Sequence, residues 1–146
     1  MARNLKNLDR LKAKLAAMPG QIKPAIKQAL DKNADQLMSL QKNLVPVGET
    51  GVLASTIRKE QGALELSVVV KAGGEKTTKK IREDAKGGAP DYDYANAVEF
   101  GTEHAAAHPF FFPAFRALKK TMKSRLSRAI SAAIKGLSNN SDAEAA

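Results

Sequence analysis

The chain has 146 residues, a formal charge of +9, five Phe and two Tyr, and neither Cys nor Trp. That length suits one domain with a modest core, and the lack of Cys excludes disulfides, thiolate catalysis and Cys-ligated zinc. No long stretch is apolar enough to span a bilayer and the first residues run into a charged amphipathic pattern, so a soluble chain made in a reducing compartment is expected.

Taken in chain order, Leu5, Leu8, Leu11, Leu15 and Met18 recur at helical spacing, with Lys6, Arg10, Lys12 and Lys14 between them. This predicts a first amphipathic helix, ended by Pro19-Gly20. A second helix of about 20 residues or more follows, carrying Pro24 in its first turn and Ile22, Ile26, Leu30, Leu37, Leu40 or Gln41, and Leu44 at helical period, interrupted at Asn33-Ala34. The Pro and Gly residues of the Leu44 to Gly51 stretch predict a turn. Leu53 to Glu60 is expected to be a strand, Gln61-Gly62 a hairpin turn, and Leu64 to Lys71 a second strand whose apolar face lies on the long helix.

Ala72 to Pro90 holds four Gly, mixed charges and one large aliphatic, Ile81. Too little apolar surface is available there to offset ordering entropy of about 1–2 kcal/mol per residue, so a mobile loop is expected. Asp91 to Phe100 fits either period and is assigned to a strand. Leu118, Met122, Leu126, Ile130, Ile134 and Leu137 mark a terminal helix opening at Pro113 and ending near Gly136, followed by a disordered tail at 141–146.

All five Phe lie in the segment Tyr94 to Phe115, which is therefore the apolar anchor of the chain. Gly101 permits φ > 0, and Pro109 and Pro113 bracket Phe110-Phe111-Phe112. Three successive residues of an extended segment cannot all face inward, so at least one of these rings is expected on a partner surface.

Catalytic and cofactor chemistry is not indicated. Gly73-Gly74-Glu75-Lys76-Thr77 lacks the Gly before Lys that a phosphate loop requires. His104 and His108, with Glu99 or Glu103 nearby, lack the helical metal-site pattern and are expected as surface or interface histidines. Charge is uneven, with 9 basic and 3 acidic residues over 1–45, 8 and 10 over 46–115, and 7 and 2 over 116–146. The face carrying Arg116 to Lys135 has no acid, which keeps a basic nucleic-acid-binding module as the alternative function.

Val45-Pro46-Val47-Gly48-Glu49-Thr50-Gly51-Val52-Leu53-Ala54-Ser55-Thr56-Ile57 resembles the "aPvdTGxLrxSI" segment of the phage tail-completion, or head–tail joining, family of long-tailed phages. Tyr94-Ala95-Asn96-Ala97-Val98-Glu99-Phe100-Gly101-Thr102, with Pro109-Phe110-Phe111-Phe112-Pro113-Ala114, is similar to its second signature, "YAxxVEFGT…PFxxPA". The likeness covers roughly Leu5 to Leu137. It implies a small α+β subunit, an antiparallel sheet on a long N-terminal helix with an amphipathic C-terminal helix, and no enzymatic activity or cofactor. It further implies a homo-oligomeric ring, commonly of six copies, at the head-proximal end of the tail tube. Such a ring terminates the tube and joins it to the head-closure, or neck, protein, and DNA passes through its lumen. Assembly would take place in the host cytoplasm, and the product would be a virion or a phage-like particle such as a gene transfer agent. Phe110, Phe111, Phe112, Lys76, Lys79, Lys80 and Arg82 are the expected contacts with neighbours.

Overall fold

The computed structural model describes residue 20 and residues 22–48, 51–80 and 90–144. The expected first helix, Thr50 and Arg82 lie outside those residues. The architecture is α+β: helix α1 (Ile22–Leu44), short helix α2 (Val52–Thr56), strands β1 (Arg58–Gln61) and β2 (Val68–Lys71), a 3-10 turn (Glu75–Thr77), β3 (Thr78–Lys80), β4 (Asp91–Asp93), α3 (Tyr94–Phe100) and α4 (Phe111–Glu144).

In α1, Pro24 occupies the first turn, where backbone N–H groups have no acceptor within the helix and the ring sacrifices no bond. Ile22, Ile26, Ala29, Asn33, Ala34, Leu37 and Gln41 are buried, an unbroken helical stripe. Asn33-Ala34 is thus no interruption. It lies where α1 and the antiparallel α4 meet, with Asn33 Nδ2 donating to the Met122 carbonyl at 3.1 Å and Arg125 Nη1 donating to Asn33 Oδ1 at 2.5 Å. A polar side chain breaks a hydrophobic pattern on paper, yet here it satisfies two groups of the facing helix.

Leu53 to Glu60 is not one strand. Leu53 and Ile57, both buried, are four residues apart, a spacing that serves a helix and a strand equally. Local bonds decide: Ser55 Oγ donates to the Val52 carbonyl at 2.7 Å and Thr56 Oγ1 to that of Leu53 at 2.6 Å, within helix α2. Strand geometry begins only at Arg58, and β1 pairs antiparallel with β2 from Arg58↔Lys71 to Gln61↔Val68. Between them residues 62–67 form a loop rather than a tight turn. Gln61 Nε2 fans onto the carbonyls of Leu64, Glu65 and Ser67 at 2.9–3.0 Å, which supplies to this stretch the bonds that a longer ladder would have made. The sheet lies on α1 as expected, with Val70 packed against the core beside Met38 and Lys59 paired to Asp35 at 2.7 Å.

Residues 72–80 carry more structure than the composition of the Ala72–Pro90 segment suggested, because polar closure orders them instead of apolar burial, and residues 81–89 lie outside the described residues. The Gly74 carbonyl accepts from the backbone N–H groups of Thr77 and Thr78, both at 3.0 Å, and Thr77 is fully buried. β3 then pairs with β4, making a second two-stranded sheet where one sheet was expected.

Asp91 to Phe100 is likewise a strand only as far as Asp93. The Asp93 carboxylate accepts from the Ala95 N–H at 2.9 Å, a side-chain cap that turns the chain into α3. The terminal helix α4 opens at Phe111, two residues before Pro113, and runs through Gly136 to Glu144. Val45, Leu53, Ile57, Ala95 and Phe110 form the buried cluster on which these elements converge.

Candidate functional site

The site is the junction of α3 and α4. α3 ends at Gly101, whose φ of 76° lies in the left-handed region and whose N–H donates to the Ala97 carbonyl at 2.8 Å. A Cβ there would also sit 2.9 Å from the Ala107 nitrogen, so the position requires Gly twice over. The chain then reverses through Thr102 to Pro109, and the His108 N–H donates back to the Val98 carbonyl at 2.7 Å.

That reversal brings Glu99 beneath the start of α4. Its buried carboxylate accepts from three consecutive backbone groups: the N–H of Phe110 at 2.8 Å and of Phe111 at 2.9 Å on Oε2, and of Phe112 at 3.1 Å on Oε1. The first N–H groups of any helix lack partners and carry partial positive charge, and one anion here satisfies three of them. Helix therefore starts at Phe111 rather than Pro113. Pro113, having no N–H to satisfy, falls in the first turn without loss.

The rings fan around that first turn at about 100° per residue instead of alternating as in an extended segment. Phe110 is 1% exposed, Phe111 half-buried and Phe112 47% exposed. Phe111 and Phe112 meet edge-on with centroids 5.5 Å apart, and Phe100, 67% exposed at the end of α3, lies 6.0 Å from Phe112. Phe115, 41% exposed, stands one helical turn further along α4. Phe100, Phe112 and Phe115 thus make an aromatic ridge on the surface.

A groove flanks the ridge on each side. One, of about 490 Å³, lies between the end of β2, α3 and Phe110 to Phe112. The other, of about 450 Å³, lies between α1, β2 and the rings of Phe111, Phe112 and Phe115. β2 borders both, and among the described residues its only sheet partner is β1, which leaves its outer edge of N–H and C=O groups unpaired beside the rings. Arg58 closes one end, donating to the carbonyls of Gly73 at 2.9 Å and Thr56 at 3.2 Å while paired with Glu60 at 2.8 Å.

Asp93 braces the far side. It accepts from the Gly74 N–H at 2.8 Å as well as from Ala95, and a Cβ on Gly73 would strike its carboxylate. Burial works against its charge, but the Thr77 hydroxyl and the Ala95 and Gly74 N–H groups outweigh that and hold the carboxyl below its ordinary range. Within Gly73–Thr77 the N–H groups of Gly73, Gly74 and Thr77 are taken by Thr56 Oγ1, Asp93 and the Gly74 carbonyl, and so are not free to cradle a phosphate.

The structure groups Glu99, Phe100, Gly101, Pro109, Phe110, Phe111, Phe112 and Pro113 at one junction. Tyr94 points to the other face of α3, where with Val98 it lines a smaller cavity of about 290 Å³ together with Pro46, Gly51 and Leu53. The two sequence signatures therefore meet across α3. Thr102 bridges to Ala105 within the reversal, its N–H donating at 2.9 Å. Lys76, Lys79 and Lys80 are exposed on the 3-10 turn and β3 and line neither groove, and Lys79 Nζ stands 5.5 Å over the Tyr94 ring. His104 and His108 are exposed, Glu99 is committed to α4, and among the described residues no cluster of side chains could hold a metal ion. Sequence reasoning missed the parts played by Asp93, Arg58 and Thr77. Only Asp93 carried a local signal, a capping residue immediately before the helical pattern.

Against known protein families, residues 9–101 match the HK97-gp10-like family, described as "Bacteriophage HK97-gp10, putative tail-component". No curated protein and no solved structure matches the chain.

Proposed function

The chain belongs to the HK97-gp10-like family of bacteriophage tail components, and we propose that it is a non-enzymatic ring subunit closing the head-proximal end of the tail. In this reading copies of the chain, six in the commonest arrangement, cap the tail tube and present a docking face to the neck protein that closes the head. DNA passes through the lumen. Subunits are made in the host cytoplasm and end in the virion, and a gene transfer agent would use the ring in the same way.

The aromatic ridge is the observation that carries this reading. Phe100, Phe112 and Phe115 are exposed together on a base locked by Phe110 and Glu99. Exposed apolar patches rimmed by polar groups mark interaction surfaces, and rigid aromatic anchors lose little conformational entropy on contact. The open edge of β2 beside the ridge adds main-chain donors and acceptors for an extended segment of a neighbour. Lys76, Lys79, Lys80 and Arg82 form a second contact, with a neighbouring subunit or the tube.

Sedimentation velocity over a range of concentrations tests the ring. The expected result is one discrete oligomer that gains on the monomer with concentration and is lost in Phe112→Ser without a fall in melting temperature. A chain monomeric at every concentration and missing from purified particles would refute the proposal.

A further inference from the structure

We infer that the solvent face of α4 between Arg116 and Arg128 is a docking surface for the phosphate backbone of double-stranded DNA. From His104 to Ser141 the chain contains no Asp or Glu, although it carries Arg116, Lys119, Lys120, Lys123, Arg125, Arg128 and Lys135. The helix sorts these cations by face. Arg125 turns inward, donating to Asn33 at 2.5 Å and to Gln36 at 2.7 Å on α1. Arg116, Lys119, Lys120, Lys123 and Arg128 are exposed.

These five fall on two neighbouring rows of four-residue steps. Arg116, Lys120, Ser124 and Arg128 make one row, and Lys119, Lys123, Ser127 and Ser131 the other. The rows hold only cations and hydroxyls, the two side-chain types that reach phosphate oxygens, and both rows are solvent-facing throughout. Lys123, Ser124, Ser127 and Arg128 enclose a shallow depression. From Arg116 to Arg128 the helix rises about 18 Å, roughly five base-pair steps at 3.4 Å along one strand.

Among the described residues, neighbouring elements do not neutralise this face. The acids of α1 nearest in sequence to its α4 contacts, Asp31 and Asp35, are both turned to Lys59 on β1. Among the described residues every ion pair lies on the α1 and sheet side of the molecule, and none involves α4.

An acidic protein is the weaker fit. Protein interfaces are anchored by aromatic or aliphatic side chains at a desolvated centre, and between Arg116 and Arg128 neither row contains one, the nearest rings, Phe112 and Phe115, standing at its end. A single-stranded ligand fits less well too, because the exposed rings on these rows, Phe112 and Phe115, stand at one end before Arg116 and Lys119, and none is interleaved between the cations for successive bases to stack on. The rows hold no Asn or Gln to read adenine, and their Arg and Lys are assigned to phosphates, so a contact independent of sequence is expected. The inference does not depend on the ring, since each copy carries the complete face.

Fluorescence anisotropy of a labelled 20–30 base-pair duplex, titrated with the full chain over a series of salt concentrations, tests it. Binding at low salt is expected to weaken with a log–log slope of about −3 to −4, from roughly four neutralised phosphates. Lys119→Gln/Lys120→Gln/Lys123→Gln should flatten that slope by about 2 to 3 and cost at least tenfold in affinity near 50 mM salt. Lys27→Gln/Lys32→Gln/Lys42→Gln, which removes equal charge from exposed positions of α1, should leave the slope within about half a unit of the parent. Circular dichroism of both variants confirms that the helices persist. The inference is overturned by no binding at the lowest salt, by equal losses in the two variants, or by polyglutamate competing as well as duplex DNA of equal charge. Duplexes of unrelated sequence that differ tenfold or more in affinity would also overturn it.

Discussion

At Glu99 one carboxylate with three backbone donors ties the end of α3 to the start of α4. Glu99→Gln keeps the shape but offers a single acceptor oxygen, directs an amide N–H₂ at the remaining donors and removes the charge that complements the helix terminus. A loss of about 1–3 kcal/mol is expected, read as a fall in the denaturation midpoint at unchanged m-value. An unshifted midpoint would mean that the cap contributes nothing. Asp93 gives a pH test. Its folded pKa lies below the unfolded value of about 3.9, so its contribution is complete above that value and is lost as pH falls through the folded pKa. Asn can still cap α3 but cannot carry the charge that Thr77, Ala95 and Gly74 stabilise. The melting temperatures of the parent and Asp93→Asn should therefore differ at pH 6–7 and draw together as pH falls below the unfolded value of about 3.9 and through the folded pKa. A constant gap across that range would contradict the assignment.

Among the elements, those built on apolar period were legible in the sequence and those built on polar closure were not. α1 and the body of α4 follow their stripes of Ile, Leu and Met, and the apolar face of β2 follows its alternation. The start of α4 was misplaced because its cap comes from a residue twelve positions before Phe111, beyond any local capping rule. α2 was misassigned because Leu53 and Ile57 fit both periods. The 3-10 turn and β3 were missed because Thr77 is held by the Gly74 carbonyl and Gly74 by Asp93, with no aliphatic run to announce them. Gly136 was expected to stop α4, yet the helix continues through it with open space around its Cα. Gly136→Ala should accordingly stabilise the helix by up to about 1 kcal/mol, seen as a small rise in melting temperature and in ellipticity at 222 nm. If α4 ended there with Gly in a left-handed conformation, the same change would destabilise it.

For the whole molecule, the aromatic mass of a small chain is divided between the core and the surface. Phe110 serves the core, while Phe100, Phe112 and Phe115 remain at the surface beside a strand edge that is unpaired among the described residues. The concentration of Phe in one segment was visible in the sequence, but which rings face out depends on where the capped helix begins. That is a tertiary fact set by Glu99 and the reversal at Gly101. The chain belongs to a family of phage tail components, and the proposed ring would use such a surface. A photo-reactive phenylalanine analogue at position 112, activated in assembled particles and analysed by mass spectrometry, interrogates the ridge directly. The account predicts a covalent link between two copies of the chain near β2. Particles that contain the chain but yield no link from position 112 to any protein would show the ridge facing solvent and contradict it.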